Sequence, residues 1–280
     1  MGRSEDLAYW INTRDQIRAR KESGQPPPWT GDWHMSNVRY CNVHREDDKV
    51  TKWIAKNWRT PNAKNPLLTL GMVAARMVNW PETLELIGFP EDDFAEWIDY
   101  AKVIIRAQAR HGIKAWTSAY TISTCGRSML KEDYVFDHVL PQVAQRKEFV
   151  AATLSGMFQL LTSVDGLGSF LAAQVIADLK NTPDHPLSRA PDFWSWSAPG
   201  PGSLRGLDAY FNGAFGGRRI TTSMYSVAID ACYNEVVTKI DPSVGRIHMQ
   251  DFQNCLCEFS KYIRIKEGDG RVRNSYSAGR

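Results

Sequence analysis

A Gly-Leu-Gly turn between two apolar helical segments limits the possible folds of this chain more than any other feature. Gly166 and Gly168 flank Leu167, and a new helix is predicted to begin near Ser169. Glycine tolerates positive φ and close backbone contact, so Leu167 can fill the space between two crossing helices. The pattern predicts a helix-hairpin-helix, in which Gly166, Gly168 and Ser169 contact a DNA phosphate through free N–H groups. The alternative is an ordinary tight turn between packed helices.

The helix after this turn carries polar groups on one face. Leu171, Gln174 and Asp178 are spaced i, i+3 and i+7, which places an amide and a carboxylate side by side. We expect this face to line a pocket.

Composition excludes several classes of protein. The chain has 280 residues, a net charge of +3 and five cysteines without regular spacing. This argues against a disulfide framework, and the charge is too small to demonstrate a nucleic-acid partner. Cys255 and Cys257, with His248 before them, lack a second ligand pair, so no metal site is predicted. Without a long apolar run or a signal sequence, we expect no membrane association and a cytoplasmic location.

The hydrophobic periodicity is mainly helical. Helices are predicted over residues 6–21, 65–78, 81–87, 92–110, 134–140, 142–161, 169–179, 221–240 and 247–263, and a further helix is predicted to begin near residue 46. The segment from residue 26 to this further helix is predicted to be extended and is rich in aromatic residues. The predicted fold is a mainly α, helix-hairpin-helix DNA glycosylase-like bundle with long functional loops. It forms one domain over 1–280, or two lobes (about 1–140 and 141–280) with the active cleft between them.

Polar side chains are concentrated between residues 37 and 53. Arg45, Asp48 and Lys52 have the spacing of one helical face, which would then carry alternating charges. This is either a solvated helix start, with acidic residues near the positive end of the dipole, or an anion-binding wall that includes Arg39.

A second candidate anion site is the segment APGPGSLRGLDAYF, residues 198–211. Gly200 and Gly202 open a predicted helix whose backbone N–H groups could bind an anion such as a DNA phosphate, with Arg205 one turn further on. A plain loop packed over the core is the alternative. The basic residues after 261, among them Arg264, Arg271, Arg273 and Arg280, are a further candidate for phosphate contacts.

Five blocks in order carry a specific resemblance: NVRYCNVHREDDKVTKWI, LTLGMVAARMVNWPET, DGLGSFLAAQVIADL, GPGSLRGL and CLCEFSKYIRIKEGDGRVR. Together they resemble the alpha-glutamyl/putrescinyl thymine pyrophosphorylase family, the phage amino acid:DNA transferases, which is similar to the helical domain attached to 5-hydroxymethyluracil DNA kinases. The resemblance implies a fold derived from helix-hairpin-helix glycosylases and double-stranded DNA carrying modified thymine as the substrate. The implied reaction joins the amine of a free amino acid to the 5-methylene of 5-(pyrophosphoryloxymethyl)uracil and releases pyrophosphate.

Several residues suit that chemistry. Arg39, Arg45 and Lys52 could neutralise the leaving pyrophosphate. A carboxylate must take a proton from the incoming amine, and Asp178 is the first candidate and Glu258 the second.

The remaining candidates bind substrate groups. Arg205 or Arg76 would bind the carboxylate of the amino acid, and amides would read the uracil edge. The amide candidates are Asn37, Asn42 and Gln174. Lys261 is a further candidate for binding the substrate or the pyrophosphate, and Asp48 joins the catalytic candidates. The sequence identifies no cofactor with certainty, although the acidic residues at 46–48 permit Mg²⁺ with pyrophosphate.

Two other functions stay open. One is a DNA glycosylase that excises a modified pyrimidine after flipping it into a cleft. Its catalytic Asp has no clean match here, since Asp178 lies on the hairpin helix itself and Asp184 and Asp192 follow it. The other is a non-catalytic DNA-binding subunit that serves a kinase or hydroxylase.

Overall fold

The computed structural model describes residues 3–90, 93–119, 122–146, 151–211 and 219–268. Within these ranges the chain is helical and contains no β-strand, which confirms the predicted mainly α class. The helices are α1 (Ser4–Glu22), α2 (Trp33–Asn37), α3 (Lys49–Ile54), α4 (Leu68–Val78), α5 (Pro81–Ile87), α6 (Phe94–Arg110), α7 (Lys131–Asp133), α8 (Leu140–Ala144), α9 (Leu154–Thr162), α10 (Ser169–Lys180), α11 (Pro201–Phe211), α12 (Tyr225–Val237) and α13 (Met249–Lys266). Two π-helical turns, Ala55–Arg59 and Tyr134–Val139, follow α3 and α7 directly.

The chain divides into two compact units. Unit 1 combines both ends of the chain, Met1–Asp48 and Ser197–Arg280, and unit 2 is the continuous segment Lys49–Trp196. The boundaries therefore lie at 48/49 and 196/197, whereas the sequence suggests a division near residue 140. The physical reason is that α1 packs on α12 and α13, so the two ends of the chain share a core that local periodicity does not reveal.

Unit 1 is built around the buried side chains of α1 and α13. Leu7, Trp10 and Ile11 of α1 are fully buried in the same apolar cluster as Phe252 and Phe259 of α13. The N–H of Arg3 also donates to the carbonyl of Tyr210, and its guanidinium pairs with Glu267 at 2.7 Å. These contacts attach the first described residues to α11 and to the end of α13.

Helices α11 and α13 cross at very short range. A Cβ atom at Gly206 would overlap the backbone carbonyl of Leu256, and one at Gly202 would overlap the thiol of Cys257. Both glycines are buried within α11. Glycine at these positions therefore sets the distance between the two helices.

Unit 2 is organised around α4, whose residues Leu68 and 70–78 are buried. It packs against α10, α8 and the first π-helical turn. The helix ends at Asn79, which has a left-handed conformation (φ 45°), and Pro81 then begins α5. This reversal of the chain places Trp80 between the two helices.

The Gly-Leu-Gly turn lies between two helices, as predicted. Helix α9 ends at Thr162 and α10 begins at Ser169. Gly166 has φ +99°, and a Cβ there would lie 2.6 Å from the hydroxyl of Tyr134. Leu167 is buried, and its N–H donates to the carbonyl of Val164. Gly166 thus needs to be glycine both for its conformation and for its contact with the second π-helical turn.

Three local predictions are wrong. Arg45, Asp48 and Lys52 do not share a helical face, because residues 45–47 form a 3-10 turn, Asp48 is extended (ψ 136°) and α3 begins only at Lys49. The predicted extended segment contains the short helix α2, which Asp32 caps by accepting from the N–H of Met35. The helix predicted over 142–161 is interrupted: α8 ends at Ala144, α9 begins at Leu154, and Pro141 lies in the first turn of α8.

No helix among the residues described is long and apolar enough to cross a bilayer.

Candidate functional site

Glu258 on α13 is a largely buried carboxylate in unit 1. Its side chain is 14% exposed, it lies 3.7 Å from the ammonium group of Lys261, and it accepts from the N–H of Cys41 at 3.3 Å. Burial raises the pKa of Glu258, while the charge of Lys261 and the hydrogen bond from Cys41 lower it by less. Glu258, the second candidate base of the sequence analysis, is therefore a carboxylate with increased proton affinity.

The chain segment opposite Glu258 is held in shape by Arg14 of α1. This buried guanidinium donates to the carbonyls of Cys41 (2.9 Å) and Tyr40 (3.3 Å) and to the amide oxygen of Asn42 (2.5 Å). The N–H of Asn42 donates to Asp48 at 3.1 Å, and its side-chain amide donates to the carbonyl of residue 47. Asn42 therefore already has partners for both ends of its amide, which favours a structural role over reading a base.

The electrostatics of Cys257 locate three of the candidate residues near one another. Burial raises the pKa of this thiol, Glu258 raises it further, and Arg205 and Lys261 lower it. Arg205 is exposed on α11, and the close packing of α11 on α13 brings it near this part of the site.

Cys41 links the same site to Asp48 and Arg45. Cys41 is exposed as a residue, but the groups packed around its thiol raise the pKa of Cys41 by desolvation; the charges of Glu258 and Asp48 raise it further, and Arg45 lowers it. A thiol with a raised pKa is protonated at neutral pH and is a poor nucleophile. We call this set of residues the Glu258 cluster; it comprises Cys41, Arg45, Asp48, Arg205, Cys257, Glu258 and Lys261.

Two further predicted residues, Arg39 and Asn37, lie in the same unit as this cluster. Lys261 donates to the carbonyl of Arg39, and its ammonium group lies 4.7 Å from the ring centroid of Tyr40. Asn37 ends α2, and its side chain donates to the carbonyl of Trp33 at 2.8 Å. The amide of Asn37 is thus engaged within its own helix.

Arg45 is positioned by a carboxylate that sequence reasoning missed. Its N–H donates to Asp251 at 3.2 Å, and the other oxygen of Asp251 lies 3.1 Å from His248 and 3.5 Å from His44. Burial alone would raise the pKa of Asp251, but the hydrogen bonds from His248 and His44 outweigh it and hold the pKa well below its usual range. The hydrogen bond to Asp251 raises the pKa of His44, which burial opposes. The i, i+3 spacing of His248 and Asp251 was the only signal available in the sequence.

Gly200 and Gly202 serve packing more directly than anion binding. The N–H of Gly200 donates to the hydroxyl of Ser203, which is fully buried, and Gly202 is in contact with Cys257. The predicted anion site at the start of α11 is therefore partly occupied by the protein's own groups.

Asp178 belongs to unit 2 and forms a buried ion pair. Its side chain is inaccessible to solvent, and its two oxygens accept from Nε and Nη2 of Arg76 at 2.5 and 2.6 Å. Arg59, which the π-helical turn brings into the interior, lies 3.6 Å away, and Thr51 accepts from Arg76. The expectation that Asp178 faces a pocket is wrong, because both of its oxygens are paired with a guanidinium. Arg76 is likewise engaged, which disfavours it as the site for an amino acid carboxylate.

The other predicted residues of unit 2 are near the surface. Gly168 and Ser169 are exposed at the start of α10, where no side chain caps the helix. Gln174 is partly buried on α10, and Lys52 is exposed on α3. The hairpin is further fixed by Asp165, which pairs with Arg127 at 2.5 Å and with His138 at 3.0 Å.

No group of three or more His, Cys, Asp or Glu side chains in the described part of the chain could hold a metal ion. The basic residues Arg271, Arg273 and Arg280 lie outside the described residues.

The fold and the Glu258 cluster define a helical domain with cations around a carboxylate. A family model described as "5-hmdU DNA kinase, helical domain" matches residues 3–271, and the chain therefore belongs to this family. Membership associates it with enzymes that modify 5-hydroxymethyldeoxyuridine in DNA. Neither the curated proteins nor the solved structures contain a match.

Proposed function

We propose that this protein transfers the amine of a free amino acid to the 5-methylene of 5-(pyrophosphoryloxymethyl)uracil in DNA. The bond between the methylene and the pyrophosphate oxygen breaks, the electron pair leaves with pyrophosphate, and a carbon–nitrogen bond forms. The family membership supports a hydroxymethyluracil-derived base in DNA as the substrate. The choice of amine transfer rests on the Glu258 cluster and on the five sequence blocks.

The observation that carries the proposal is the burial of Glu258 beside Lys261, which raises the pKa of the Glu258 carboxyl above its usual value. An amine is protonated at neutral pH and attacks carbon only after it has lost a proton. A buried carboxylate with increased proton affinity can accept that proton while Lys261 limits the cost of its own charge. Glu258 thus replaces Asp178 as the preferred base.

The cations around Glu258 match the charges of the other reacting groups. Arg45 and Arg39 are assigned to the leaving pyrophosphate, whose negative charge grows as its bond to carbon breaks. Arg205 is assigned to the carboxylate of the amino acid, because a guanidinium binds a carboxylate through two parallel hydrogen bonds. Mg²⁺ could accompany the pyrophosphate, with the acidic residues at 46–48 as candidate ligands.

The hairpin of unit 2 is assigned to the DNA backbone. The exposed N–H groups at the start of α10 are suited to a phosphate, since the positive end of a helix dipole adds to their hydrogen bonds. Binding of this kind is independent of base sequence.

The decisive experiment measures the mass of the product. DNA that contains 5-(pyrophosphoryloxymethyl)uracil is incubated with the protein and a mixed amino-acid pool, digested to nucleosides and analysed by mass spectrometry. Transfer gives a nucleoside heavier than thymidine by one amino acid less two hydrogen atoms, together with free pyrophosphate. Abasic sites would instead indicate a glycosylase, and unchanged nucleosides with intact DNA binding would contradict any catalytic role.

A variant of Glu258 tests its role in the same assay. We expect Glu258→Gln to lower kcat by about 100-fold or more, because the amide cannot accept the proton. Glu267→Gln is the matched control, since Glu267 is an exposed glutamate at the end of the same helix. Equal rates for both variants would contradict the assignment of Glu258.

The family description favours one further candidate, a DNA-binding helical domain that supports a kinase. It predicts that the protein alone leaves the nucleosides unchanged but increases phosphorylation of 5-hydroxymethyluracil DNA when a 5-hmdU DNA kinase is added.

A further inference from the structure

A groove on unit 2 combines lysines with tryptophans and has no part in the Glu258 cluster. It has a volume of about 610 Å³ and is lined by Lys49, Val50, Lys52, Trp53, Lys56, Asn57, Trp80, Pro81, Glu82 and Glu85. Sites for small molecules usually enclose roughly 300–1,000 Å³, so the groove has room for one nucleotide. We define these residues as the tryptophan groove.

The two tryptophans provide flat apolar surfaces on a rigid support. Trp53 and Trp80 are both partly buried and pack against the apolar core of unit 2, while other parts of them line the groove. Lys114, which is not among the lining residues, places its ammonium group 3.7 Å from the ring centroid of Trp80. This cation–π contact and the left-handed turn at Asn79 restrict the orientation of the indole.

The three lysines form one edge of the groove. Lys49, Lys52 and Lys56 are exposed, and their separations of three and four residues place them on one side of α3 and the π-helical turn after it. Ammonium groups in such a row fit the spaced negative charges of a phosphodiester backbone, which each of them can contact without reading the base.

The acidic residues of the groove restrict how a polynucleotide can be oriented in it. Glu82 and Glu85 lie on α5, away from the lysines in sequence, and their carboxylates would repel a phosphate. A bound polynucleotide must therefore keep its phosphates on the side of α3. Its base or sugar then faces α5, where a carboxylate can accept from an N–H or hydroxyl donor.

We propose that the tryptophan groove binds one unpaired nucleotide of single-stranded DNA, with its base against the indoles and its phosphates on the lysines. Base stacking on aromatic side chains requires an exposed base face, which a paired duplex does not offer. This inference rests on the proposed function only in taking DNA as the polymer.

The test measures binding of a fluorescein-labelled 12-nucleotide oligothymidylate to the full-length protein by fluorescence anisotropy, over a series of salt concentrations. We expect Trp80→Leu and Trp53→Leu each to weaken binding by about tenfold, because each removes one stacking surface. Lys49→Ser/Lys56→Ser should reduce the slope of log affinity against log salt by about 0.7 for each phosphate that the protein no longer neutralises.

Matched controls separate the groove from general effects. Trp194→Leu removes another exposed tryptophan of the same unit, and Lys64→Ser/Arg110→Ser removes two exposed charges outside the groove. Both should bind the oligonucleotide like the wild type. Because the lysines are exposed, their variant stays informative even where a tryptophan variant folds poorly, as judged by circular dichroism.

Three results would overturn the proposal: groove variants with wild-type affinity, no binding of oligothymidylate by the wild type, or displacement by oligouridylate at lower concentrations than by DNA. The transfer assay on the same variants separates this from the proposed function. If the wild type transfers the amine but the groove variants bind oligothymidylate with unchanged affinity, the groove proposal is refuted and the transferase proposal is not. Groove-dependent binding without any transfer refutes the transferase alone.

Discussion

At the scale of single residues, Asp251 is a buried carboxylate with three partners near the candidate site. It accepts from the N–H of Arg45 and interacts with both His44 and His248. Its pKa is lowered and that of His44 is raised, so the two groups stabilise the folded state most when Asp251 is ionised and His44 is protonated.

The direction of the pH dependence follows from these two shifts. The raised pKa of His44 gives stability that is fully present below its unfolded value of about 6.5 and is lost as the pH rises through the folded pKa. The lowered pKa of Asp251 gives stability that is present above about 3.9 and is lost as the pH falls through the folded pKa. Together they predict an optimum between these limits.

We therefore expect Asp251→Asn to destabilise the protein by about 1.5–3 kcal/mol at pH 5.5, the usual value of a hydrogen bond to a charged group, and by less at pH 8.5. Urea unfolding at both pH values measures the difference. Asp241→Asn is the control, because Asp241 caps a turn by accepting from the N–H of Ser243 at 2.8 Å. Equal destabilisation of Asp251→Asn at both pH values would show that protonation of His44 does not contribute.

The comparison of Asp178 with Glu258 shows where reasoning from sequence ends. Both are carboxylates on helices with a polar side chain one turn away. The sequence favours Asp178, and nothing in its spacing contradicts that choice. Arg76, which pairs with Asp178, is 102 positions away in sequence, and Cys41, which donates to Glu258, is 217 positions away. Only tertiary structure decides which of two such carboxylates is already neutralised.

At the scale of elements, the close crossing of α11 and α13 depends on glycine. The carbonyl of Leu256 occupies the space that a side chain at position 206 would need, and that carbonyl belongs to the backbone of a long helix. A shift of either helix to make room would therefore also move Arg205 or Glu258, which these helices carry.

We predict that Gly206→Ala destabilises the protein by about 1–3 kcal/mol, as is typical of overpacking. Thermal or urea unfolding measures this change. Gly200→Ala is the matched control, because a Cβ there would meet Gln253 at 3.7 Å, an ordinary van der Waals contact. Wild-type stability in Gly206→Ala would mean that the helices separate at little cost.

Helices with clear boundary signals were predictable from sequence, and others were not. Helix α5 spans Pro81–Ile87 as predicted, because proline suits its first turn and Gly88 follows it with φ 66°. The interruption after Ala144 has no such signal, since residues 142–161 keep an apolar helical pattern. The π-helical turns are also invisible to a pattern search, although one of them brings Arg59 to Asp178.

At the scale of the whole molecule, each unit has its own apolar core. Among the described residues, the buried core of unit 2 lies between Ile54 and Ala190, and that of unit 1 lies within residues 7–43 and 207–265. Unit 2 is continuous in sequence and includes the hairpin and the tryptophan groove. Its core therefore needs no residue from unit 1.

We expect residues 49–196 to fold when expressed alone, because a single continuous core of this size is sufficient for an independent domain. Circular dichroism should show a helical spectrum and one cooperative thermal transition. Residues 1–48 expressed alone serve as the comparison, since α1 lacks its partners α12 and α13 there and should remain unfolded. A non-cooperative transition for 49–196 would show that its core is incomplete.

Under the proposed transfer reaction, the glycine contacts between α11 and α13 also have a consequence for substrate choice. With Gly202 against Cys257 and Gly206 against Leu256, the backbones that carry Arg205 and Glu258 are already in contact and cannot approach further. A hinge-like movement of α11 towards α13 is therefore not a way for this protein to adapt to a different amine. The size of the amine that the protein accepts should instead depend on the lengths of a few side chains, so exchange of single residues, with the helices left as they are, is the route to a different product.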